Sequence, residues 1–483
     1  MLKPSGKLQN ILLTALIASI AFASFLPVLN SGFVWDDIHN IVENNNYRGL
    51  SLSHLYWIFT TLHDNNYHPL AWLTFSADYI VWGMNPAGYH LTNLVIHVLN
   101  AVLFYYLMVA LLQRFTDVSD DSLFGVRVSA VVGALFFAVH PLRVETVAWI
   151  STRGDLPCNF FYLLTILAYM RMVDNEAPDK RRKWYLLALF FFILSLLSRA
   201  WGVTLPLVLL VLDVYPFRRF SFNRQSLASI KSILIEKIPF VLLAILAGIQ
   251  ALWAKKVGMI NLADHHAIDR LAQAAYGLCF YLGKTVMPIR LSPLYLLEKN
   301  FDAMAPQYLM CTLLICGITA GLFLMRHRWP WAITAWICYA VTVGPLLGFA
   351  QSGLQIAADR YTYIACLPFG VLAGAGLLKL WLARQKLRSP SVVWFSILPA
   401  IFLGLAVLST LSFRQSRIWH NSVTLWSYVI QVDSTNYVAY YNRGVVYKDK
   451  GGDLTKALKD YNTAIALYPE FKGCILDKNP RSK

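Results

Sequence analysis

Residues 90–112 read HLTNLVIHVLNAVLFYYLMVALL, a run without a single Lys, Arg, Asp or Glu. Coiled as a helix, it is long enough to cross the ~30 Å hydrocarbon layer of a bilayer. Similar apolar runs lie near residues 10–29, 127–148, 157–171, 184–197, 200–214, 232–253, 308–325, 331–349, 361–382 and 393–411. Composition agrees, with 57% of the 483 residues hydrophobic and 14% charged, against about 25% charged in soluble domains. So large an apolar share cannot be hidden in an ordinary core. The sequence therefore predicts an all-α polytopic membrane protein: about 11 crossings within residues 1–412, then a soluble helical tail at 413–483.

The net charge of +16 does not point to nucleic acid, because Lys and Arg cluster in short loops between apolar runs. Those loops are read as topology signals. With eleven crossings, one side receives the N-terminal Lys3 and Lys7, Arg171 with Lys180 to Lys183, and Arg218-Arg219 with Arg224 and Lys231. Arg326 with Arg328, and Arg384-Lys386-Arg388, join them there. Residues 269–288 are apolar enough to span but carry Arg270, Gly283 and Lys284, and counting them flips everything downstream. They are predicted to lie as an interfacial or re-entrant helix on the outer side. The stretch from Trp72 to Trp82, aromatic and holding Asp78, is predicted at headgroup level. The N-terminal apolar run is longer than a cleavable signal core and reads as a retained anchor. Seven Cys show no paired spacing, so neither a disulfide framework nor a metal site is implied.

The resulting outer loop, residues 30–89, is long and rich in His, Asn, Asp, Tyr and Trp, whereas the opposite loops are short and basic. Chemistry is expected on the outer side. In the tail, Gly444, Tyr447, Ala457, Tyr461, Ala464 and Pro469 match the tetratricopeptide pattern. Little more than one unit is present, so the tail should lean on the membrane domain or on a partner.

Three clusters sit where crossings emerge on that side. The first is Phe33-Val34-Trp35-Asp36-Asp37, where adjacent acids repel and one can hold a raised pKa and act as a base. The second runs from His140-Pro141-Leu142-Arg143-Val144-Glu145 to Arg153 and Asp155. The third is Ala358-Asp359-Arg360-Tyr361-Thr362-Tyr363. Ionisable groups at membrane boundaries are functional candidates because unpaired burial is costly, with structural ion pairing as the plain alternative. Arg199, Asp213 and Lys284 carry less weight, Asp213 reading as a structural cap. His68, His90 and Asn93 could be ligands or acceptor contacts, although isolated His residues among aromatics are more often hydrogen-bonded packing residues. No phosphate loop, dinucleotide fingerprint or nucleophile elbow is present.

In order and content these motifs, with Gly88-Tyr89-His90-Leu91-Thr92-Asn93, Trp149-Ile150-Ser151 and Thr204-Leu205-Pro206, resemble the transmembrane and tetratricopeptide-repeat O-mannosyltransferases and their shorter bacterial relatives. The resemblance runs from the first crossing to the tail and implies a C-type glycosyltransferase fold. It also implies a polyprenyl-phosphate sugar as donor substrate, no separate cofactor, and an outer-face acid in the first loop as catalytic base. Carried onto this chain, it makes Asp36 or Asp37 the base and Arg360, Arg143, Arg153 and Arg199 the donor-phosphate ligands. Asp359, Glu145, His140, Asp155 and His90 then become supporting residues. Two departures stand out: the family usually carries many repeats, and its usual Lys near the sixth crossing is Arg199 here.

The expected activity is inverting transfer of one sugar, mannose by resemblance, to a hydroxyl acceptor such as Ser or Thr of an exported protein. The expected setting is the outer face of a bacterial inner membrane. A glycolipid or cell-envelope glycan acceptor is the alternative within the same fold. A transporter predicts an inverted repeat and helices broken at the bilayer centre, and neither is read. A non-enzymatic membrane scaffold leaves the acids and arginines unexplained.

Overall fold

The computed structural model describes residues 6–116, 119–220, 227–255, 266–298, 301–349, 353–384 and 390–471. Lys3, Arg224, Lys386, Arg388 and Cys474 lie outside the described residues. The chain is helical almost throughout, and the described strands form one two-stranded antiparallel ribbon, β1 (Tyr295–Leu296) with β2 (Gln355–Ala357).

The helices that coincide with the apolar runs of the sequence are α1 (Gly6–Ser24), α4 (Pro86–Leu112), α5 (Asp120–Ala138), α7 (Asp155–Val173), α8 (Pro178–Ser198), α9 (Leu205–Val214), α10 (Leu227–Lys255), α12 (Pro306–Leu324), α13 (Pro330–Val343), α15 (Leu367–Ala383) and α16 (Pro390–Ser416). Five of them are long and apolar enough to cross by themselves, and α5 and α15 become so with the short helices bent away from their ends. The shorter α1, α9 and α13 are apolar but fall short of a full crossing, so among the described residues length and composition support five crossings, or seven with each bent pair taken as one, against the eleven expected.

Several apolar runs nevertheless stop short of their sequence limits at one end of the bundle. The run 127–148 breaks where His140 precedes Pro141, and its remainder returns as the separate helix α6 (Val144–Ala148), bent by 55°. Residues 361–382 divide into α14 (Thr362–Ala365) and α15 at Leu367-Pro368, bent by 53°. Pro27 and Pro345 end α1 and α13 in 3-10 turns. Proline removes an amide donor and crowds the preceding turn, so each run ends in irregular backbone. All these breaks lie at the end that carries the first loop, the site end.

Helix α11 (Ala267–Val286) is set differently. Along one face Gln273 meets Gly348, Gly277 meets Leu347, the Tyr281 hydroxyl accepts from the Ala358 amide, and the Thr285 carbonyl lies 3.0 Å from His140 Nε2. Those partners belong to the site end, while the Leu278 carbonyl accepts from the Tyr339 hydroxyl of α13 at 2.7 Å and Tyr276 meets Tyr308 of α12. Ile268, Leu271, Val286 and Met287 stay exposed, which suits an interfacial helix. In the first loop, α2 (Leu52–Thr60) and α3 (Pro69–Trp82) likewise leave Leu52, Tyr56, Ile80 and Val81 exposed, while Trp72 and Phe75 are buried.

At the opposite end, Asp213 of α9 is no simple cap. It accepts from the Tyr169 hydroxyl at 2.8 and 2.9 Å and pairs with Lys237 of α10 at 2.6 Å and Arg219 at 3.1 Å. Buried charge is tolerated when paired in this way.

Beyond α16, α17 (Ser422–Val432), α18 (Tyr437–Gly451) and α19 (Leu454–Leu467) form the tail. A Cβ at Gly444 would stand 2.7 Å from the Tyr461 ring, so glycine lets α18 and α19 meet closely there. The tail packs on the site end through Trp426, Val429 and Ala439 around Leu294.

Candidate active site

The first loop is pinned from three sides. The Gly32 amide donates to the His420 carbonyl at 3.0 Å, and the Trp35 amide to the Ser422 hydroxyl at 3.4 Å. Trp35 takes a left-handed backbone, φ +54°, a conformation a bulky side chain holds only when its surroundings fix it. Its indole stacks on Trp149 with centroids 4.4 Å apart and the planes 3° from parallel.

This turn sends the two adjacent acids in different directions. Asp37 is fully buried and accepts from the Val34 amide at 3.1 Å, the Ser151 amide at 2.8 Å and the Ser151 hydroxyl at 2.6 Å. It thereby ties the first loop to the turn after Trp149. Burial outweighs those bonds and pushes its carboxyl up to about 6. Asp36 instead lines a cavity of about 170 Å³ and stands where that cavity meets a second one of about 300 Å³.

Three cations line the first cavity with Asp36: Arg199, Lys255 and Arg360. The Arg360 guanidinium pairs with Glu145, and its own amide donates to the other Glu145 oxygen at 2.9 Å. The guanidinium lies 5.3 Å from the Trp149 ring and 5.0 Å from Tyr361. Its neighbour Asp359 is turned away and accepts from the Tyr295 hydroxyl at 3.0 Å. Glu145, not Asp359, is therefore what orients Arg360. Arg199 Nε stands 3.3 Å from Asp155. The glycine between Arg153 and Asp155 permits this approach, since a Cβ at Gly154 would come within 2.7 Å of the Ser198 carbonyl oxygen.

Two of the four candidate arginines are not in the cavity. Arg153 is completely buried, and its guanidinium pairs with Asp78 while donating to Asn93 Oδ1 at 2.7 Å and the Tyr89 carbonyl at 2.6 Å. All its directions serve to join α3, α4 and the start of α7. Arg143 is buried among Phe137 and Tyr363 and donates to Thr362 at 3.2 Å. His140 caps the turn after α5, accepting from Leu142 at 3.2 Å. His90 faces the Gly32 carbonyl at 3.4 Å. None of these four lines either cavity, and each has at least one polar atom bonded to a fixed protein partner.

Most other cavity residues were not among the assigned site residues, Asp64, His68 and Lys255 among them. His68 stacks on Trp72; burial, with Arg199 nearby, pushes it down to about 3, so it stands neutral in the cavity. Lys255 belongs to the Lys255-Lys256 pair, whose place on the side otherwise poor in basic loops was the available signal. Among the described residues no group of three His, Cys, Asp or Glu is placed to hold a metal ion.

The first cavity continues into a groove of about 310 Å³, which shares His68, Arg199, Trp201 and Lys255 with it. Leu196, Val203, Ala247, Ala251, Leu252 and Phe349 give the groove an apolar wall between α8, α10 and α13. Two carboxylates, Asp36 and Asp64, three cations and an adjoining apolar groove thus meet at one end of a polytopic helical membrane protein.

No protein-family model matches the chain. It is similar along nearly its whole length to protein O-mannosyl-transferases. It is 25% identical to the F38B6.6 protein of Caenorhabditis elegans over 97% of this chain and 65% of that one. It is 23% identical to human TMTC3, over 96% of this chain and 52% of that one. A shorter match, 32% identical to Tmtc2 of Drosophila melanogaster, covers 44% of this chain and 22% of that one. The chain thus spans less than two thirds of the length of these relatives. Among solved structures, ArnT of Cupriavidus metallidurans bound to undecaprenyl phosphate aligns with a TM-score of 0.42 and 11% identity, covering 95% of this chain and 88% of that one.

Proposed function

We propose that the protein transfers a sugar, mannose by its relatives' names, from a polyprenyl phosphate to an acceptor hydroxyl. The reaction takes place at the site end, on the outer face of a bacterial inner membrane. One observation carries the reading: Asp36 faces three cations in a cavity that opens into an apolar groove. A polyprenyl phosphate has a matching division, with an apolar chain for the groove and an anionic head for Arg199, Lys255 and Arg360.

Transfer breaks the bond between the sugar C1 and the phosphate oxygen and forms one from C1 to the acceptor oxygen, with inversion at C1. Asp36 takes the acceptor proton. Negative charge grows on the departing phosphate, which needs no general acid, and the fixed cations stabilise it. Neutral His68 is placed to exchange hydrogen bonds with sugar hydroxyls. Asp37 sets the loop that presents Asp36.

The test is incubation of the purified protein with polyprenyl-phosphate sugars and candidate acceptors, with products read by mass spectrometry. Transfer by the wild type that disappears in Asp36→Asn is expected. Equal turnover by that variant would remove Asp36 as the base, and no transfer from any donor would overturn the activity.

A further inference from the structure

We infer that an apolar cavity between α4, α9, α13 and α15 binds an anionic phospholipid of the leaflet away from the site end, with Lys379 holding its phosphate. The cavity measures about 720 Å³ and follows α15 from Leu367 to Ala383, about 24 Å at the helical rise of 1.5 Å per residue. It opens on the lipid side of the bundle. Phe115 and Leu382 in its lining are exposed, and a Cβ at Gly376 would meet no atom within 4 Å. Apolar cavities of this kind take hydrocarbon rather than water, and the length accommodates an acyl chain of one leaflet, about half of the ~30 Å hydrocarbon layer.

Charge sets the end at which the head lies. Lys379 is the one charged residue of the lining, and among the described residues it meets no carboxylate. It stands in the last turns of α15, the end away from the site. Tyr215, just after α9, and Trp331, at the start of α13, line that same end. Aromatic rings with one polar atom mark the headgroup level, and basic pockets between crossing helices hold acidic lipid heads. The donor proposed above is a different ligand. A polyprenyl phosphate has a single charged end, placed by that reading among Arg199, Lys255 and Arg360, and nothing in its chain answers Lys379. Its groove shares one lining residue with this cavity, Thr342 at the site end.

The full-length protein, stripped of lipid in detergent, is titrated with phosphatidylglycerol, phosphatidylcholine and undecaprenyl phosphate, and bound lipid is counted by native mass spectrometry. Lys379→Gln removes the charge, Lys379→Arg keeps it, and Gly376→Leu adds bulk to the cavity where no neighbour has to move. The wild type is expected to prefer phosphatidylglycerol over phosphatidylcholine about fivefold, the margin that one basic residue supplies at a membrane surface. That preference should vanish in Lys379→Gln and persist in Lys379→Arg, and Gly376→Leu should reduce phosphatidylglycerol retention several-fold. A preference that is missing from the wild type, or that survives Lys379→Gln, would show that Lys379 only reaches for the interface and would overturn the assignment. Unchanged retention in Gly376→Leu would move the lipid out of this cavity. Displacement of phosphatidylglycerol by undecaprenyl phosphate, one for one, would give the cavity to the donor chain instead.

Discussion

Trp426 of the tail meets Trp35 edge-on, with ring centroids 4.9 Å apart and the planes at 70°. Trp35 directly precedes Asp36 and holds a left-handed backbone. The contact therefore joins the tail to the residue that aims the proposed base. Trp426→Ala is expected to lower kcat about 10- to 100-fold, since small misplacements of reacting groups are costly, while undecaprenyl phosphate binding stays unchanged. Trp426→Phe keeps an aromatic edge and should recover most of the loss. A folded Trp426→Ala protein with ordinary kcat would show that Trp35 keeps its place unaided.

The two first-loop acids should separate by experiment. Asp36→Asn is expected to cost about 10²- to 10⁴-fold in transfer, the usual range for a lost general base, with little change in stability. Asp37 should show itself in stability against pH. Its carboxyl is raised from 3.8 to about 6 by burial, so the native state holds the proton more tightly than the unfolded chain. The stability it contributes is complete below about 3.8 and is lost as pH rises through about 6. Thermal midpoints between pH 4 and pH 7.5 should fall with rising pH in the wild type and change less in Asp37→Asn. Parallel curves for the two proteins would contradict the buried assignment.

Glu145 should govern donor use through Arg360. Glu145→Gln removes the charge that fixes the guanidinium and is expected to weaken undecaprenyl phosphate binding several-fold. Arg360→Lys should weaken it further, because an ammonium keeps charge but loses the planar fork. Asp359→Asn should leave donor binding near normal, since Asp359 is bonded to Tyr295 and turned from the cavity. Titrations showing Asp359→Asn more harmful than Glu145→Gln would reverse this order.

Helix α11 is expected not to cross. Single cysteines at Asp269 and Met287, introduced after replacing the native cysteines, should both react with a membrane-impermeant thiol reagent from the side that labels the first loop. Protection of one position alone would mean a true crossing.

How far the sequence could be read differs from feature to feature. The helical membrane architecture was legible because unbroken apolar runs have few alternatives. The cluster around Asp36, Glu145 and Arg360 was legible because ionisable residues at crossing ends are rarely idle. Which arginines face the cavity was not. Arg153 and Arg143 resemble Arg199 and Arg360 by type and position, and only the packing of Asp78 and Asn93 against Arg153 sets them apart. Asp78 lies 75 residues before its partner, a separation at which no local pattern pairs them. Likewise, Asp36 and Asp37 look equivalent until the left-handed Trp35 turns them apart.

The ion cluster at the far end bears on how the chain is made. Asp213 lies in α9, yet its cationic partners Arg219 and Lys237 follow later in the chain, Lys237 within α10. During synthesis α9 reaches the bilayer with a carboxylate whose neutralising charges have not yet emerged, and an unpaired acid is costly in hydrocarbon. Insertion of α9 should therefore be completed only together with α10, as a hairpin. In ribosome-bound truncations, a chain ending after Val214 should leave α9 extractable from the membrane, whereas one extended beyond Lys255 should resist extraction. Equal resistance of both lengths would show that α9 inserts without its partner.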